Sequence, residues 1–454
     1  MVPQSVLFPD LFDRPLVVTF DQEHASSDGG AILLKAADAR LGLVDALTGC
    51  VTDGRAVTRV THSLRELIAL RVLGITCGYP DANDADRLAD DPIQRLLLDR
   101  DPIAGAALAS QPTISRFENG VGRTALLEMG RALAQRVVDR HRRRLRGRAR
   151  RITIDPGPTD DPTHGGQQLA LFNGHYDTWC YLPLLAFVTF NHEPEQYLCA
   201  AVLRSGTPPA TQGALGILRR LVPLLRTAFP KARVRVRLDG GYACPEVFTF
   251  LEEERLDYIV AMAKNAVLAR AAEPAMIDVR ARHALSGQSE QQYLETSYQA
   301  NTWPQPRRVT IKAEVVQLPG RSPRDNPRFL VTNLPQTPKW LYTRVYSARG
   351  DTGNRIKELH QDLAIGRTSC SRFWANQLRV LLTAAAYILM QELRLRAART
   401  SCARAQMGTL RLRLLKLGVR VVGSLRRIIL HLPASVADAA AWQRIALTLG
   451  ARPG

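Results

Sequence analysis

The spacing of apolar positions changes character near residue 150. From Ala31 to about Arg140 apolar residues recur at helical spacing, broken by clusters of Gly, Pro and Asp. A short alternation at Leu16-Val17-Val18-Thr19-Phe20 and a turn at Asp28-Gly29-Gly30 come first. Ser110-Gln111-Pro112-Thr113 reads as a turn that opens a helix, with proline in the first turn, where its missing N–H is tolerated. Beyond Arg151 the period shortens to two. Arg151–Asp155 and Val234–Asp239 alternate, and Trp179–Phe190, Tyr197–Leu203 and Tyr258–Ala261 are further strand candidates. Between them, Gln212–Phe229 carries Leu215, Leu218, Leu221, Leu224 and Leu225 on one face of a helix, and Pro245–Glu254 reads as another. This order of strands and helices predicts a mixed α/β sheet. Residues 265–335, with β-formers at Arg308–Val316 and Phe329–Thr332, are expected to form a β-rich insertion. Helical spacing returns from Gly350, and Arg394–Lys416 reads as an Arg/Leu-rich helix.

Charge narrows the class of partner. Across 454 residues, 61 Lys and Arg stand against 42 Asp and Glu, a formal net charge of +19. Such an excess favours a polyanion, because each cation on a phosphate releases condensed counterions. An anionic membrane surface would attract it too, so charge alone names only a class. Val380–Met390, among the longest apolar runs, is about half the ~20 residues of a spanning helix. The start, Met-Val-Pro-Gln, has no basic stretch leading into an apolar one, so no secretion signal is expected. Seven scattered cysteines, none in a C-x-x-C pair, argue against a zinc ribbon or a disulfide scaffold and suit buried thiols in a reducing cytoplasm. The run His141–Arg151 holds Arg142, Arg143 and Arg144; it is expected to mark a domain boundary and to touch phosphates. Thr113, Ser115 and Arg116, at a helix start, suit entry into a major groove as in helix-turn-helix proteins, or equally a capped surface helix.

Two predicted strands end in aspartate, at Asp155 and Asp239. Carboxylates at strand ends of an α/β sheet occupy its usual site edge. Two of them plus a helix carboxylate can hold paired Mg²⁺ ions for phosphodiester chemistry. Strand-terminal Asp also caps helices and starts turns, so the pattern alone leaves both readings open.

Longer blocks are more specific. Ile152-Thr153-Ile154-Asp155, Thr159–Gly165 and Phe172–Asp177 resemble the first catalytic block of one group of bacterial insertion-sequence DDE transposases. Val236–Tyr242 resembles the second block, and Tyr346–Asp351 with Asn354–Glu358 the third. The resemblance implies a ribonuclease-H-like mixed sheet core at 151–264 and 336–400, with a β-rich insertion at 265–335. It also implies a helical DNA-binding region at 1–150 and C-terminal helices, with a tail at 401–454. It further implies Mg²⁺, cut-and-paste strand transfer at terminal inverted repeats of double-stranded DNA, a dimer on that DNA, and a bacterial cytoplasm around the nucleoid.

Carried over residue by residue, the resemblance breaks at three places. The first catalytic Asp aligns with Gly157, two residues before Thr159. The second aligns with Asp239. In the third block, of pattern Y-x2-R-x3-E-x6-K, Tyr346 and Arg349 match, but Gly353 stands at the Glu position and His360 at the Lys position. Asp155 would lie on the same strand face as Gly157 but ~6.6 Å back. Glu358 would be turned by about 140° from Gly353 on a helix. The candidate metal and catalytic residues are therefore Asp239, Asp155 and Glu358. Candidate DNA contacts are Tyr346, Arg349, Lys357, Arg116 and Arg142–Arg144. The open alternatives are a relocated metal site, a non-catalytic regulator that occupies inverted repeats, and a metal-dependent hydrolase unrelated to DNA.

Overall fold

The computed structural model describes residues 6–453, which divide into two compact units. One comprises residues 41–52 and 118–388, the other residues up to 40, 53–117 and 389 onward.

The first unit is built on a sheet of nine strands among the described residues. Its main strands are β1 (Arg151–Pro158), β2 (Leu184–Phe190), β3 (Tyr197–Val202), β4 (Arg233–Leu238), β5 (Asp257–Met262), β6 (Glu290–Tyr298), β7 (Arg307–Val316) and β8 (Arg328–Thr332). In space they run β6-β7-β8-β5-β4-β1-β2-β3, with a two-residue strand at Arg324–Asp325 beside β7. β4 is parallel to both β1 and β5, and the other pairs are antiparallel. The 3-2-1-4-5 order of the first five strands fits the ribonuclease-H-like core, and the strands of 290–332 extend the same sheet beyond β5. Ile152, Thr153, Ile154 and Asp155 are all buried, so β1 is covered on both faces despite its alternating sequence.

Five helices of this unit matter below: α1 (Arg123–Arg144), α2 (Ala214–Ala228), α3 (Ala266–Ser286), α4 (Gly350–Gln361) and α5 (Phe373–Arg396, whose last eight residues belong to the other unit). α2 buries Leu218, Leu221 and Leu225 of its predicted face, together with Ile217 and Val222, while Leu215 and Leu224 are half-buried. α3 departs from expectation, because the head of the predicted β-rich segment is a 21-residue helix. Asn265 caps it by accepting from the Leu268 N–H at 2.9 Å. Leu268, Ala272, Ala275, Met276 and Val279 then fall on one buried stripe.

In the second unit Asp28 is fully buried, with Lys416 Nζ at 2.7 Å and Gln94 Nε2 donating at 2.9 Å. A Cβ on Gly30 would lie 1.7 Å from the Leu414 carbonyl oxygen, so only glycine fits that approach. The expected long basic helix is interrupted. α5 ends at Arg396, helical turns resume at Met407–Leu415, and Val419–Gly423 pairs with Ile428–His431 as strands. Val419 and Val421 are buried while Arg420 is exposed, the period-two pattern of a half-buried strand. No helix among the described residues is long and apolar enough to cross a membrane. All seven cysteines are free thiols, four of them buried.

Candidate functional site

The parallel pairing of β1 and β4 sets Ile154 opposite Val236. Carried on along the strands, this register puts Asp155 level with Arg237 and Gly157 level with Asp239. Asp239 ends β4 and caps the short turn Gly240–Tyr242, its Oδ1 accepting from the Gly241 N–H at 3.2 Å. Its Oδ2 lies 3.0 Å from Arg349 Nη2, and the carboxylate keeps about a third of its surface exposed. Arg349 also donates to the Pro156 carbonyl at 3.0 Å, which ties the start of α4 to the end of β1. Half-buried Tyr346 stands one turn before Arg349, its hydroxyl pKa pushed up by burial. The corner thus brings together Asp239, Arg349 and Tyr346, from two of the three sequence blocks.

Asp155 and Glu358 lie elsewhere. Asp155 is fully buried and accepts two bonds from Arg237, Nε to Oδ1 at 2.7 Å and Nη2 to Oδ2 at 2.5 Å. Burial pushes its carboxyl upward, and the Arg237 charge opposes that shift. Arg237 Nη1 donates to the Val345 carbonyl at 2.8 Å. Gln196 Nε2 reaches Asp155 at 3.4 Å, and its Oε1 accepts from Thr352 at 3.0 Å. This network fastens the third sequence block to the two central strands. Glu358 is buried on α4, accepting from the Tyr387 hydroxyl at 2.7 Å, with Arg355 Nη1 at 3.1 Å.

The two glycines differ in their surroundings. A Cβ on Gly157 would meet Thr352 Cγ2 and Ile356 Cδ1 of α4, both at 3.3 Å, while one on Gly353 would meet nothing within 4 Å. His360 bonds Thr159 Oγ1 through Nε2 at 2.9 Å, and burial lowers its pKa, so it favours the neutral imidazole where the family has a cation. Asp161, in the first block, is also buried. Thr368 donates to its Oδ2 at 2.7 Å, its Oδ1 has no partner, and burial raises its pKa to about 7.

Beside the Asp239 corner lies a cleft of about 560 Å³ that includes Tyr346, Arg349 and Gly353. Its other wall was not foreseen from the sequence. Tyr293 pairs across the strands with Lys312, and Lys312 with Arg328, so these three form a row over β6, β7 and β8 into the cleft. Lys312 also contacts Glu314. Only the strand register reveals the row, because the three residues are far apart in sequence.

The remaining cations divide. Lys357, Arg116, Arg142 and Arg143 are exposed. Arg144 is held by Glu193 at 2.7 Å and lies over the Tyr197 ring at 5.9 Å. Its neighbour His141 is buried against Phe190 and Tyr197, a core residue with a strongly lowered pKa. The arginines of the basic run are therefore mostly surface: Arg142, Arg143, Arg146, Arg148 and Arg150 are exposed, and Arg144 and Arg151 are half-buried.

A divalent ion of the Mg²⁺ kind takes hard oxygen ligands, and a two-metal site shares several carboxylates. Of the three aligned positions here, Asp239 alone supplies one, and Arg349 already neutralises it in part. Among the described residues no group of three or more His, Cys, Asp or Glu side chains could hold a metal. The donor set does not fit a metal pair.

Comparison with known families gives one finding: the family described as "Transposase DDE domain group 1" matches residues 8–451. No curated protein matches the chain.

Proposed function

Given that the chain belongs to the DDE transposase family and so to DNA transposition, we propose that it binds the terminal inverted repeats of an element without cleaving them. One observation carries this reading. Of the three aligned carboxylate positions only Asp239 bears a side-chain ligand, while Asp155 and Glu358 are engaged by Arg237 and by Tyr387 with Arg355. Asp155 and Glu358 then act as framework groups, and Arg349, Tyr346, Lys312 and Arg328 offer cations and hydroxyls to a phosphate strand at the cleft. Arg suits this role because its fork matches phosphate oxygens. Lys357, Arg116, Arg142 and Arg143 supply the wider electrostatic footprint on the duplex, supported by the +19 charge. A protein that occupies repeats without cutting them regulates an intact transposase by competition.

The test is a gel shift with inverted-repeat duplex against unrelated duplex, followed by incubation of the complexes with Mg²⁺. The expected outcome is a repeat-preferring complex whose DNA stays uncut. Equal affinity for both duplexes would remove the regulator reading. Mg²⁺-dependent nicking of the repeat by the unmodified protein would overturn the non-cleaving reading.

A further inference from the structure

β4 carries Arg233, Arg235 and Arg237 at alternate positions, so all three share one face of the sheet. The parallel register sets Arg151 of β1 beside Arg233, and Thr153 beside Arg235. On the outer sides, Asp257 of β5 stands beside Arg235, and Thr189 of β2 beside Thr153. Asp257, Arg235, Thr153 and Thr189 therefore form one row across four adjacent strands, on that same face. Arg233 and Arg151 lie in the row before it, at the start of β4 and β1 and at the far end of β4 from Asp239.

Charge does not balance on this face. Asp257 is 2.8 Å from Arg233, and Asp155 holds Arg237, so two carboxylates serve four guanidiniums. Arg151 Nη2 bonds the His192 ring at 2.8 Å. Arg235 forms no ion pair with any described residue, because its neighbour Asp257 is taken by Arg233. Arg235 and Thr153 are each 6% exposed, and Arg235 Nε and Thr189 Oγ1 are sealed from solvent without a hydrogen-bond partner. Burial, then the Arg151 charge, lowers the Arg235 pKa to about 10, so the group stays cationic at neutral pH. A cation this deep is ordinarily paired, because water no longer solvates it.

We propose that this face binds a free tetrahedral oxyanion of the inorganic phosphate class, gripped by Arg235 and Arg151 and by the Thr153 and Thr189 hydroxyls. The fork of each guanidinium matches two phosphate oxygens, and the hydroxyls donate to the others. Two unmatched guanidiniums balance the near-double negative charge of a phosphate group at neutral pH. Arg233, its side chain 72% exposed, and half-buried Arg151 mark the end from which the ion enters. Arg235 lies too deep for a duplex phosphate, which is flanked by sugars. The site is thus separate from the cleft beside Asp239.

Isothermal titration of the full chain with inorganic phosphate, in chloride buffer with and without saturating duplex DNA, tests this. One phosphate per chain is expected, with the same affinity in both conditions. Arg235→Met should abolish the uptake. Thr189→Val should weaken it roughly tenfold, as loss of one buried hydrogen bond to a charged group implies. In phosphate-free buffer Arg235→Met should melt no lower than the wild type, because it removes an unpaired buried charge. Absence of phosphate uptake, or uptake that either substitution leaves intact, overturns the proposal. So does an Arg235→Met protein that fails to fold or melts well below the wild type, since the fold itself would then satisfy the guanidinium. Phosphate displaced by duplex, with duplex binding weakened in Arg235→Met, would assign the site to a backbone phosphate and sink the free-ion reading.

Discussion

Strands β1 and β4 carry two pairs of facing residues, two positions apart, with opposite surroundings. Asp155 faces Arg237 inside the sheet, sealed from solvent and doubly hydrogen-bonded. Gly157 faces Asp239 at the strand ends, where a carboxylate remains partly open and only one side of the pair has a side chain. Asp155 is interior to β1, which runs on to Pro158, whereas Asp239 directly follows the last residue of β4. Burial and the partner across the ladder decide whether each carboxylate's charge is available to a ligand or consumed by the fold. Asp161 adds a third case, a carboxyl as buried as Asp155 but with a hydroxyl in place of a cation.

The comparison breaks most visibly at Asp155. Removing one partner of a buried ion pair leaves the other charge uncompensated, at about 3–5 kcal/mol. Asp155→Ala should lower the stability measured by urea unfolding by that amount, whereas Asp239→Asn, at a partly exposed pair, should cost less than about 1 kcal/mol. Equal effects would mean that the two carboxylates are equivalent after all.

Asp161 is expected to give the next largest effect, with the opposite sign. Its folded pKa, about 7, lies above the ordinary value of 3.8. Its contribution is therefore fully present below about pH 4 and is lost as pH rises toward 7. Asp161→Asn should flatten that part of the stability profile and stabilise the protein at pH 8, on the order of a few kcal/mol. A profile unchanged by the substitution would show that the carboxyl is ionised without penalty.

Much of this arrangement was legible in the sequence. The strands that carry Asp155 and precede Asp239, the helix at Gln212–Phe229 and two strands of the β-rich segment lie within a few residues of where the spacing put them, but β1 runs on to Pro158, so Asp155 is interior and does not end its strand as expected. The partner of Asp155 was not legible. In Val234-Arg235-Val236-Arg237-Leu238-Asp239 the arginines occupy what reads as the solvent face, yet both are buried because β4 is central and covered on both sides. The strands after Val419 were hidden by the Arg/Leu-rich run before them. The cleft row Tyr293, Lys312 and Arg328 depends on register, which no local pattern encodes.

A smaller effect is expected outside the sheet. Arg142 and Arg143 are exposed while Arg144 is held by Glu193. Substituting the first two by Ala should weaken binding to all duplexes alike and reduce the salt slope by about 0.9 per lost phosphate contact. Arg144→Ala should change stability more than the slope. If the slope is unmoved by the first pair, the run is framework throughout.

The central claim is that Asp239, without carboxylates at 157 and 353, does not assemble a metal site. Titration of the unmodified protein with Mn²⁺, followed by the electron paramagnetic resonance of free Mn²⁺, tests it most directly. One carboxylate beside a guanidinium should leave the free-ion signal essentially undiminished at micromolar metal. Gly353→Glu combined with Gly157→Asp should reduce it, to the extent that Thr352 and Ile356 make room. Stoichiometric uptake by the unmodified protein, lost in Asp239→Asn, would contradict the account.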